Sequence, residues 1–224
     1  MARTLTLAQL RSQVRVRGGY ENSTDITDTV LDDLINSALP EVWDIITGKW
    51  LDYYTTSAAA TVTIGTDSTP LPSDFYKLRK VEILQSDGRY RRLLPADLDV
   101  AHTFQSVSNK AYRYREALDS LFLMPPAVAT ETLRIWYIKV APVLAAALDT
   151  FDGINGYEAL LVQHALRGCA KRQDLPTGEI DQEISRLTAR VRTAADGRDA
   201  TEAFYLDPFG PLGWGGWGDD EGLW

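Results

Sequence analysis

Apolar residues recur every three or four positions near both ends of the chain and every second position through its middle. Leu7, Leu10 and Val14 form a short helical stripe that Gly18 and Gly19 stop. A longer helix follows, with Ser23, Thr24, Asp25 and Thr27 as candidate caps and Leu31, Ile35, Ala38, Val42 and Ile45 or Ile46 on one face. Pro40 lies inside that stripe; it removes the bond to the Asn36 carbonyl and predicts a kink or break. Trp43 and Trp50 close the element. From Tyr53 to Ile64 the chain turns to Thr, Val and Ala with alternation, the pattern of a strand. LPSDF at 71–75 leads into LRKVEIL at 78–84, and Ser86-Asp87-Gly88 then predicts a hairpin into RYRRLL. After Pro95, DLDVAHTF predicts a short helix. YRYRE, SLFLMP and TLRIWYIK supply three more strands, with a turn around Asp119-Ser120.

Helical spacing resumes after Phe151-Asp152-Gly153, through Tyr157, Leu160, Leu161, Ala165, Gly168 and Cys169. Asp174 to Pro176 marks a turn and Thr177 can cap the next helix. Its stripe is Ile180, Ile184, Leu187, Val191 and Ala194, with Glu179 and Asp181 early and Arg186, Arg190 and Arg192 late, as the helix dipole favours. The order predicts an α+β fold. A helical bundle, residues 1–52 and 150–196, is interrupted by an antiparallel β insertion at 53–149 and followed by an extended C-terminal arm at 197–224.

The arm has neither period. YLDPFGPLGWGGWGDDEGLW holds three of the six tryptophans among glycines and prolines, so it forms no apolar face of its own. Tyr205, Phe209, Trp214, Trp217 and Trp224 are therefore candidate anchors on another surface, since interface hot spots are rich in such rings. Asp207, Asp219, Asp220 and Glu221 follow the arm's single cation, Arg198, and suit a basic groove.

Composition narrows the classes. The net charge of −8 does not favour phosphate-dominated nucleic-acid binding over the whole surface. A lone cysteine, Cys169, excludes an intramolecular disulfide and a cysteine metal cluster. The chain has no apolar run of about 18 residues and no signal-like start, so no membrane is expected and the cytoplasm is the expected site of synthesis. Chemistry is sparse, and no enzyme activity, metal or cofactor is expected. Phosphate loops, GxSxG elbows and HExxH pairs are absent from the sequence. His164 sits on a helical stripe, where a core-edge histidine holding one hydrogen bond is the expected role. Asp149 to Glu158 has the acids and glycines of a calcium loop without its ligand spacing, and is read as a turn and helix start. Lys77, Arg79, Lys80, Arg89, Arg91, Arg92, Arg113 and Arg115 alternate with Tyr76, Tyr90, Tyr112 and Tyr114, a mixture that suits polyanion contact, but the acidic total favours a solvated hairpin face or a charged subunit seam.

Three segments carry a resemblance. TDTVLDDLINSALPEVW at 27–43, LPSDFYKLRKVEI at 71–83 and GYEALLVQHALRGCAKRQD at 156–174 resemble, in order and texture, the head-to-tail adaptors of tailed bacteriophages. The likeness covers about residues 1–196. It implies a virion structural protein in the neck, assembled in the host cytoplasm as a ring commonly of twelve copies. Its expected partners are the portal protein above, tail or nozzle proteins below, and DNA that passes without sequence-specific contact. A tail terminator or fibre-attachment protein is the nearest alternative, and a nucleic-acid-binding module or a hydrolase a more distant one. A net-negative wall would not hold passing phosphates.

Overall fold

The computed structural model describes residues 4–49, 51–96, 111, 113–154 and 156–196, with the side chains of 195 and 196 excepted. The chain opens on strand β1 (Thr4–Thr6) rather than on a helix. Thr6 then caps α1 (Leu7–Gly18): its hydroxyl accepts from the Gln9 N–H while the Gln9 side chain accepts from the Thr6 N–H. Gly19 ends α1 at φ 69°, a left-handed conformation that glycine adopts without strain. Helix α2 (Asp28–Thr47) is capped by Thr27 and runs through Pro40 without the expected break. The ring sits on the exposed side of the helix, so it intrudes on no packed neighbour.

The middle of the chain forms two four-stranded sheets. β2 (Thr55–Val62), β9 (Glu131–Lys139), β4 (Phe75–Leu84) and β5 (Tyr90–Arg92) are ordered β2-β9-β4-β5, all antiparallel. β3 (Ser68–Pro70), β8 (Ser120–Met124), β7 (Arg113–Ala117) and β6 (Leu94–Pro95) form the other sheet, in the order β3-β8-β7-β6. The expected hairpin at 86–88 joins β4 to β5, with Gly88 at φ 81°. Two expectations need correction. β6 pairs parallel with β7, so the unit is not purely antiparallel. The β7–β8 turn falls at Leu118-Asp119, one residue earlier than expected. The helix expected at DLDVAHTF lies outside the described residues, as do Trp50 and the whole arm.

β10 (Thr150–Asp152) returns to pair with β1, and α3 (Glu158–Arg172) and α4 (Gly178–Asp196) complete the helical part. Thr177 takes the position just before α4, its carbonyl accepting from the Asp181 N–H at 2.9 Å while its hydroxyl donates to the Asp181 carboxylate at 2.8 Å. Asp149 accepts from the N–H groups of Ala145 and Ala146, both at 2.7 Å, and so belongs to a turn.

Two apolar clusters form. The first joins the stripes of all four helices, including Leu10, Leu31, Ile35, Leu161 and Leu187, around Phe151. The second lies between the sheets and includes Val81, Ile83, Leu121, Leu123, Leu133 and Ile135. They meet at the end of β9, where Tyr137 enters the inter-sheet cluster and Ile138, on the other face, enters the helical one. Trp43 of α2 donates its indole N–H to the Lys139 carbonyl at 3.0 Å and packs on Tyr54 at 4.7 Å between ring centres. Asn36, in the LINSAL stretch of α2, bonds both ways to Leu144, each at 2.9 Å. The chain leaving the sheets is thereby tied to the helices.

Candidate interaction surface

The pleat of a strand decides where the eight candidate cations go, because neighbours in sequence point to opposite faces. Lys80 and Arg92 reach the outer face of the β2-β9-β4-β5 sheet, on the register rows of Trp136 and Arg134. Arg79, beside an irregularity in β4, pairs with Asp52 at 3.1 Å at the rim of the same face. Arg91 turns away and donates to the Ala111 carbonyl at 2.7 Å. Arg89 stays exposed in the hairpin turn, 4.0 Å from Asp87, and Lys77 is exposed on β4. Arg113 and Arg115 belong to the second sheet, where Arg115 lies over the Phe122 ring at 5.3 Å. Three of the eight therefore gather, Arg79, Lys80 and Arg92, and the other five disperse.

The outer face has a fourth cation that the cluster reading missed. Arg134 lies 3.5 Å from the centre of the Tyr90 ring and 5.7 Å from that of Trp136, and Lys80 lies 4.8 Å from the Trp136 ring. Glu82 holds the arrangement together. It accepts from Lys80 Nζ at 2.8 Å and from Trp136 Nε1 at 2.7 Å, with Arg134 at 3.9 Å. Burial pushes the Glu82 carboxyl up, but the hydrogen bonds from Lys80 and Trp136 and the two nearby cations outweigh it and leave it below its ordinary value. A hollow of about 480 Å³ opens between this face and the end of the α2 connection, lined by Asp52, Thr55, Arg79, Lys80, Arg92 and Trp136.

A second hollow, about 530 Å³, runs between α2, α3 and α4 and includes Glu41, Ile45, His164, Ile184 and Arg192. His164 is buried, and its Nδ1 stands 3.1 Å from Glu41 Oε2 and 3.2 Å from Arg167 Nη2. Arg167 reaches the same carboxylate oxygen at 3.1 Å. Burial, more than the Arg167 charge, drives the imidazole pKa down and outweighs the pull of Glu41. Cys169 is a buried free thiol, its pKa raised by burial, which suits packing and not nucleophilic attack.

The described residues thus form two packed clusters, one carrying a cationic sheet face and the other a groove among α2, α3 and α4. Among the described residues, no group of three or more His, Cys, Asp or Glu is placed to hold a metal ion, and no helix is long and apolar enough to cross a membrane. The family model for the SU10 adaptor protein matches residues 5–208, and the chain belongs to that family of bacteriophage head-to-tail adaptors, a structural class. No curated protein matches it. Tyr205 falls within the matched residues, whereas Phe209, Trp214, Trp217 and Trp224 fall past them.

Proposed function

We propose that this chain is the virion adaptor that assembles, in the host cytoplasm, as a homo-oligomeric ring between the portal and the tail. The ring closes the DNA-filled head and forms part of the exit channel. The observation that carries this reading is the family match across residues 5–208, which spans both apolar clusters. A ring built from one repeated, heterologous contact needs two different faces on each copy. The sheet face and the helical groove are two such faces. The aromatic arm, with Tyr205, Phe209, Trp214, Trp217 and Trp224, supplies anchors for the portal or a neighbouring copy. Dispersal of five of the eight candidate cations favours subunit and partner contacts over a nucleic-acid surface.

The test is co-assembly. Full-length chain and a version ending at Ala200 are mixed with purified portal and imaged by negative-stain microscopy. Rings of full-length chain seated on the portal, lost or weakened on truncation, are the expected result. Equal docking by the truncated chain would refute the arm's role, and the absence of any ring on the portal would refute the adaptor function.

A further inference from the structure

Residues 197–224 hold six acids and one arginine, so they carry five of the chain's eight net negative charges, together with three tryptophans. Among the described residues, the outer face of β2-β9-β4-β5 offers a cationic, aromatic hollow. There, among the described residues, Arg79, Lys80 and Arg134 pair with two acids, Asp52 and Glu82, beside Arg92. Arg92 is exposed and makes no ion pair among the described residues. We propose that, before assembly, the acidic aromatic segment 205–224 folds back onto this sheet face of its own chain, resting on the reading of the segment as a docking arm.

The geometry of departure supports it. Arg192 and Thr193, near the end of α4, line the same groove as Ile45 of α2, and Asp52, about two helical turns of sequence further on, rims the hollow. Residues 197–204 span up to about 27 Å when extended, which is the reach available to segment 205–224. The helical groove is the less cationic seat: among its described lining residues Glu41 faces in, already paired with Arg167, and Arg192 is the cation. A nucleic-acid strand also fits the sheet face poorly. Glu82 stands at its centre, and Lys80 and Arg134 already cover the rings on which bases would stack. Carboxylates of Asp219, Asp220 and Glu221 can instead meet Arg92, which stands exposed at the edge of this face. Such a contact keeps the arm's aromatics off other proteins until a partner with a better seat takes them.

The experiment uses the full chain with Trp217→p-benzoyl-phenylalanine, irradiated at low micromolar concentration and mapped by mass spectrometry. Crosslinks within one chain are expected at 52–55, 79–80, 92 or 136. Their yield is expected to fall at least about fivefold with Arg92→Glu and to recover when Asp219, Asp220 and Glu221 are changed to Lys in the same chain. Arg92 is exposed, so the variant keeps the fold, which circular dichroism checks. Crosslinks confined to the α2–α4 groove, crosslinks only between chains, or a yield indifferent to both charge changes would each overturn the proposal. So would salt-sensitive binding of a labelled oligothymidylate that Arg92→Glu abolishes while the crosslinks stay. Portal co-assembly is a separate readout, so the adaptor reading and this one fail separately.

Discussion

Asn36→Ala tests the tie between the helices and the segment that leaves the sheets. Its amide donates to the carbonyl of Leu144 and accepts from the Leu144 N–H, both at 2.9 Å, and Nδ2 also reaches the Asp32 carbonyl at 3.0 Å. Leu144 itself is buried, so truncating Asn36 leaves a main-chain donor and acceptor short of partners. Each lost bond costs about 1 kcal/mol, and stranded buried groups bring the total to about 2–4 kcal/mol. Alanine returns about 0.5 kcal/mol through helix propensity, leaving a net loss of about 1.5–3.5 kcal/mol. At this chain length that is a fall in Tm of about 3–14 °C. Urea titration followed by tryptophan fluorescence gives the change directly, with an unaltered slope as the check on a shared unfolded state. Faster amide exchange at Leu144 would locate it. Ser37→Ala, one residue along on the exposed side, is the control and should cost under about 0.5 kcal/mol. If Asn36→Ala costs no more than that control, the tie is not what holds the two parts together.

Two further outcomes follow. His164 has a folded pKa below its ordinary value, so the unfolded chain takes up the proton first and stability falls as pH drops through the ordinary histidine range of about 6.5. Thermal melts between pH 7.5 and 5 should show that loss, and His164→Gln should flatten it; an equal slope in both chains would remove His164 as the cause. Gly153→Ala would place a Cβ 2.5 Å from the Glu158 backbone nitrogen at the start of α3, where no flexible side chain can yield. It should destabilise by about 1–3 kcal/mol, measured by the same urea titration, and a neutral change would mean that the turn relaxes freely.

The helices were legible because a stripe at threes and fours is a local signal: Leu31, Ile35, Ala38 and Val42 on α2, and Ile184, Leu187 and Val191 on α4, are the buried positions. β1 was hidden because a three-residue strand, Thr4–Thr6, merges into the capping box of the next helix. The cationic face was only half legible. Lys80 and Arg92 came from one hairpin, readable from Ser86-Asp87-Gly88, but Arg134 and Trp136 arrive through the pairing of β9 with β4, about fifty residues apart in sequence. Nothing local encodes that register; TLRIWYIK was legible as a strand, but not which strand it pairs with. Asn36 shows the same limit: its motif was visible, whereas its partner, Leu144, lies on the far side of the β unit.

Thr55, where the first large strand begins, stands directly opposite Ile138, where the last one ends. The whole excursion through eight strands thus departs from and returns to one spot beside α2. Such a cassette can grow or shrink at its far end without moving the helices, because a longer closed loop adds little entropic cost once its mouth is fixed. The β unit and the helical part are therefore separately adjustable, and a chimera exchanging only this cassette between members of the family is the natural unit for altering one without the other.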